Sequence, residues 1–145
     1  MRLYTIGFTK KSAAQFFFLL KTSGVERLVD IRLRPNGQLA GFTKRDDLAY
    51  FLPNLIDCEY RHMPSLAPTA DILSAYRKDG DWGKYVERFE ALMDKRNIPF
   101  ALDRAFYEET ACCLLCSEAT PEQCHRRLVA ERIARSWADT EVIHL

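Results

Sequence analysis

Hydrophobic and polar positions along this chain fall into blocks that switch between two periods. Arg2 to Phe8 is a short apolar run ending at Gly7, which predicts a strand. Ser12-Ala13-Ala14-Gln15 is a capping box, in which the Ser side chain accepts from a free backbone N–H and Gln reaches back. Ala13, Phe16, Phe17 and Leu20 then recur at helical spacing, and Gly24 is placed to stop that helix. Arg27 to Leu33 predicts a second strand, which runs into the turn-rich Arg34-Pro35-Asn36-Gly37. A short helix around Leu48, Phe51 and Leu52 is expected to break at Pro53. Cys58 to Met63 is a weaker strand pattern, and Thr69 can cap a helix through Tyr76.

The second half continues the alternation. After the turn Asp79-Gly80-Asp81, Trp82, Tyr85, Val86, Phe89, Leu92 and Met93 form an amphipathic stripe. Ile98 to Glu109 has no clear period. Ala111 to Ser117 is the strongest buried strand, Pro121 to Trp137 the last helix, and Glu141 to Leu145 a final short strand. Strands alternating with helices predict a mostly parallel sheet of about five strands with helices on both faces, a Rossmann-like three-layer architecture. The length of 145 residues, without repeat or linker, predicts a single α/β domain over 1–145.

Composition narrows the function classes. Hydrophobic residues make up 48% and charged residues 28%, as in an ordinary globular protein, and no apolar run is long enough to span a bilayer. The net charge of +1 gives no basis for broad binding to duplex nucleic acid or to an anionic membrane, although a local basic patch is compatible with it. The N-terminus enters a strand directly, without a secretory pattern. Five cysteines, an odd number, then predict reduced thiols in a cytoplasmic protein.

The candidate chemistry gathers at strand exits. Leu114-Leu115-Cys116-Ser117-Glu118 carries an apolar run into a carboxylate, and Thr120-Pro121-Glu122-Gln123 then gives three coincident helix-start signals before Cys124, His125 and Arg126. At about 100° per residue, Arg126 falls among Val129, Ala130, Ile133 and Trp137, His125 at their border, and Arg127 and Cys124 on the other side. An inward Arg126 in a first helical turn suits an anion. Asp30, Arg32 and Arg34 share a face by strand alternation and suggest a clamp for phosphate or carboxylate, or an internal ion-pair network. Glu118 and Asp30 are candidate acid–base groups, with His125 assisting as a neutral base at a helix N-terminus. Cys116, Cys124 and His125 lack a clear fourth ligand, with His62 a distant candidate, so no metal site is assigned. There is no dinucleotide fingerprint or Walker loop, and no cofactor is assigned.

Taken together, Thr5-Ile6-Gly7, Val29-Asp30-Ile31-Arg32 with Pro35, Tyr60 with His62, Leu114-Leu115-Cys116-Ser117-Glu118 and Cys124-His125-Arg126 resemble the domain of unknown function 488 family. The resemblance covers nearly the whole chain in order and implies an α/β domain without an assigned activity. It also implies a His after Thr-Ile-Gly, where this chain has Phe8, and a Leu-Gly-Gly turn, where it has Leu66-Ala67-Pro68.

Three readings follow. The first is a small enzyme acting on an anionic, nucleotide-like molecule held by Arg32, Arg34 and Arg126, with Glu118, Asp30 and His125 as the catalytic groups. The second is a non-catalytic module that binds a nucleotide or a nucleic-acid end through the same residues. The third is a thiol redox or metal-binding protein built on Cys116, Cys124 and His125.

Overall fold

The computed structural model describes residues 1–145. Five strands, β1 (Arg2–Gly7), β2 (Arg27–Asp30), β3 (Glu59–His62), β4 (Cys112–Cys116) and β5 (Glu141–His144), pair in the order β3-β2-β4-β1-β5. Every pairing is parallel, so the expected mostly parallel sheet is wholly so. β4 lies in the middle and is buried along its whole length, which explains its unbroken apolar sequence.

The helices α1 (Ala13–Thr22), α2 (Arg45–Ile56), α3 (Ala70–Asp79), α4 (Trp82–Lys95), α5 (Arg104–Glu108) and α6 (His125–Ser136) divide between the two faces. Phe16 and Leu20 of α1 and Leu48 and Leu52 of α2 pack in one core with Ile6, Leu28 and Leu115. Ile72 of α3, Phe89 of α4, Tyr107 of α5 and Ile133 of α6 fill the other with Leu3, Val29 and Leu114. Alternate residues of each central strand thus serve opposite cores.

Register levels the strand exits: Gly7 pairs with Cys116, and Asp30 with Leu115. β2 leads to its outer neighbour β3 through α2, whereas β4 leads through α6 on the opposite face to β5 at the other edge. The chain therefore diverges above β2 and β4, where parallel α/β sheets leave a crevice at their carboxyl ends.

Three local expectations are corrected. Pro53 lies inside α2 rather than ending it; both Pro53 and Ala49 are exposed, so water can serve the carbonyl that loses its donor. The second strand stops at Asp30 instead of continuing to Leu33. The last helix begins at His125, not Pro121. Residues 121–124 form a turn closed by the Cys124 N–H donating to the Pro121 carbonyl at 3.2 Å.

Candidate functional site

Two polar clusters sit side by side at the carboxyl end of the sheet. The first grows from the exit of β2. The Asp30 side chain accepts from the Arg32 backbone N–H at 3.1 Å, a local turn that competes with further strand pairing. The Arg32 guanidinium folds back onto the same carboxylate, with Nε 2.8 Å from Oδ1 and Nη2 2.6 Å from Oδ2. Its remaining contacts run to Thr43, where Nη1 meets Oγ1 at 3.1 Å and Nη2 meets the carbonyl at 2.6 Å. Tyr60 Oη donates to Asp30 at 2.6 Å, and burial followed by that carboxylate pushes the phenol well up. The Arg32 guanidinium lies 5.4 Å from the Phe8 ring centroid, within cation–π range.

This geometry revises the expected Asp30, Arg32, Arg34 row. Alternation ends with the strand, Arg32 turns back on Asp30, and Arg34 stands exposed in the following loop. Four of the five Arg32 N–H groups are spent on Asp30 and Thr43. Tyr60 enters this cluster unpredicted. The parallel register accounts for it, placing His62 opposite Asp30 and Tyr60 two residues earlier on the same face.

The second cluster lies where β4 turns toward α6. Cys116 ends the strand, Cys124 caps α6 in an extended conformation, and His125 opens the helix. The sulfurs and an imidazole nitrogen all lie within 4.8 Å of one another, and all three residues are buried. On a helical wheel Cys124 faces away from the apolar side, but it is only 2% exposed, because its extended backbone takes it off that wheel. Cys116 Sγ is 3.4 Å from His125 Nδ1, while Nε2 is 2.8 Å from the Ile31 carbonyl. A carbonyl only accepts, so Nε2 carries hydrogen. The Sγ–Nδ1 line then holds one proton, as thiol to imidazole or as thiolate to imidazolium. Ile31 joins the clusters, since it stands between Asp30 and Arg32 and its carbonyl accepts from His125 Nε2 at 2.8 Å.

The surroundings favour the thiolate of Cys116. The neighbouring Cys124 thiol lowers its pKa most, burial opposes, and the Ser117 N–H, the Arg126 charge and the Glu118 N–H add to the lowering. The neighbouring Cys116 and burial push Cys124 upward. The two thiols are thus differentiated, one toward the anion and one toward the protonated form.

Arg126 is fully buried. Nη1 donates to the Glu118 carbonyl at 2.5 Å and Nη2 reaches the Ala119 carbonyl at 3.5 Å, while buried Nε has no partner and no carboxylate forms an ion pair with this side chain. Glu118 contributes its backbone here, and its carboxylate is exposed. Arg127 is partly buried and pairs with Glu131 at 3.6 Å. The structure therefore gathers Cys116, Cys124 and His125 in one cluster, holds Arg126 on the carbonyls of the following loop, places Asp30 and Arg32 in the neighbouring cluster, and leaves Arg34 and the Glu118 carboxylate outside both.

No helix is long and apolar enough to cross a membrane. A family model described as a domain of unknown function, DUF488, matches residues 12–133. No curated protein and no solved structure matches the chain.

Proposed function

This chain belongs to the DUF488 family, a domain of unknown function, and from its own side chains we propose a thiol-dependent enzyme in which Cys116 is the reacting group. The observation that carries this reading is the line from Cys116 Sγ through His125 to the Ile31 carbonyl, with separations of 3.4 and 2.8 Å. It has the form of a nucleophile, a base and a group that fixes the base's tautomer.

In this reading His125 takes the Cys116 proton and returns it to the leaving group. The Ser117 and Glu118 N–H groups and the start of α6 favour negative charge at the sulfur. The substrate is a small electrophile whose anionic character suits the buried, carboxylate-free Arg126. Cys116 is 5% exposed, so a substrate reaches it only when the surroundings of the sulfur open. Acid–base work by Asp30 or Glu118 has less support, because Asp30 is occupied by Arg32 and Tyr60 and the Glu118 carboxylate is exposed outside the cluster.

Alkylation with iodoacetamide between pH 5 and 9, mapped by peptide mass spectrometry on the folded protein, tests the proposal. Cys116 is expected to react at a lower pH than an ordinary cysteine, and His125→Asn to move its profile upward. An inert Cys116, or a profile that the substitution leaves in place, would overturn it.

A further inference from the structure

We propose that Cys116, Cys124 and His125 also form a binding site for one soft monovalent cation, copper(I) in chemical class. The inference goes beyond the thiol reading and does not depend on it, because the same donors can hold an ion whether or not Cys116 attacks a substrate.

The donor set comes first. Two thiols and an imidazole converge with their ligand atoms within 4.8 Å of one another. Thiolate sulfur selects copper(I), zinc and iron–sulfur centres over magnesium or calcium. Two metal–ligand bonds of roughly 2.0–2.3 Å can bridge the 3.4 Å between Cys116 Sγ and His125 Nδ1. The imidazole is also oriented as metal-bound histidines are, with the distal N–H held by a backbone carbonyl, here that of Ile31 at 2.8 Å.

Coordination number and charge then separate the candidates. Zinc in a closed protein site takes four ligands, or three and an open position for water. Here the cluster holds three donors, and all are buried, with the Phe89 ring 5.7 Å from that of His125. Copper(I) is satisfied by two or three soft donors. Binding displaces the protons of both thiols, giving two negative charges beside a neutral imidazole and within the field of the buried Arg126 guanidinium. A monovalent ion brings this buried group to neutrality. A divalent ion leaves a positive excess next to a guanidinium that already lacks a carboxylate, and uncompensated buried charge is costly. A soft monovalent ion thus fits both the number of donors and the charge of Arg126.

The test is anaerobic titration of the whole reduced protein with copper(I) in competition with bicinchoninate, alongside zinc titrated against a chromophoric chelator. One copper(I) per chain is expected. Cys124→Ser and His125→Asn should each weaken binding by about ten-fold or more, whereas Cys58→Ser, outside the cluster, should leave it unchanged. No uptake against the chelator, tighter binding of zinc than of copper(I), or equal affinity in the Cys124→Ser variant would overturn the inference. If the variants do not fold, X-ray absorption of the loaded wild-type protein decides: two sulfur and one nitrogen neighbours support the site, and any other shell rejects it. Alkylation of the metal-free protein reads thiolate character separately, so failure of either proposal is visible without the other.

Discussion

The carbonyl oxygen of Glu118 occupies the space where a side chain at Gly7 would begin: an ideal Cβ there would lie 1.6 Å from that oxygen and 2.7 Å from Arg126 Nη1. The end of β1 and the loop after β4 are therefore in backbone contact, which the Thr9 N–H reinforces by donating to the Ser117 carbonyl at 3.1 Å.

A methyl group at Gly7 cannot be absorbed by rotating a flexible side chain, because the obstacle is backbone. Gly7→Ala should destabilise the protein by about 2–3 kcal/mol, the upper part of the range for overpacking, read as a lowered denaturation midpoint. The displaced carbonyl is also the close acceptor of Arg126, so Cys116 alkylation should change in the same variant. A Gly7→Ala protein with wild-type stability would mean that the 117–119 loop is not seated on β1.

Asp30 accepts from the Arg32 backbone, Nε and Nη2 and from Tyr60 Oη. Asp30→Asn removes the countercharge from an Arg32 that is 5% exposed, and the cost should be about 3–5 kcal/mol, as for a buried pair broken on one side. Tyr60→Phe deletes one hydrogen bond to a charged group on a half-buried side chain, and about 1.5 kcal/mol is expected. Urea denaturation of both variants checks the order; a larger loss for Tyr60→Phe would show that the ion pair is not what holds the exit of β2.

Much of this frame was legible in the sequence because its signals were local. The Ser12–Gln15 capping box forms with both of its hydrogen bonds, and the run Cys112–Cys116 is the central buried strand. The site was legible in location and less so in composition. Thr120-Pro121 reads as a helix start, yet the chain turns there and α6 begins four residues later, with Cys124 at the cap. That one difference brings Cys124 inward beside Cys116. At β2, period-two alternation predicted a row of arginines, whereas an Asp side chain capturing the backbone two residues on ended the strand. At β2 one local rule lost to another, alternation to a side-chain-to-backbone bond two residues long, whereas at α6 the helix-start signals lost to burial in the folded chain.

Alkaline stability follows from the other thiols. Burial pushes Cys58 up to about 12 and Cys112 up to about 11, from an ordinary value of 9.0. Each raised thiol contributes stability that is fully present below pH 9 and is lost as pH rises through its folded value. Cys116, lowered instead, contributes in the opposite sense: its share is present above pH 9 and lost as pH falls. The raised thiols outnumber it, so unfolding free energy should drop between pH 9 and 11. Chemical denaturation at pH 8, 9 and 10 should show a shallower drop for Cys112→Ala than for wild type; parallel slopes would remove Cys112 from the account.

Arg126 offers the closest test of the electrostatics at the site. It is fully buried, makes no carboxylate pair, and its charge helps to hold Cys116 low. The same charge, after burial, lowers His144, whose Nδ1 is 2.7 Å from Thr5 Oγ1 at the far end of β5. Arg126→Met replaces the guanidinium with an apolar chain of similar reach and removes a buried charge that has no carboxylate partner. Removing a positive charge disfavours the thiolate and favours the imidazolium. The alkylation profile of Cys116 should therefore move to higher pH, and the His144 titration, followed by NMR, should move up as well. Arg126→Lys keeps the charge and should leave both nearer their wild-type positions. If His144 rises while the Cys116 profile stays fixed, the charge has been removed but was not supporting the thiolate, and the lowering at Cys116 would then belong to Cys124 and the backbone N–H groups alone.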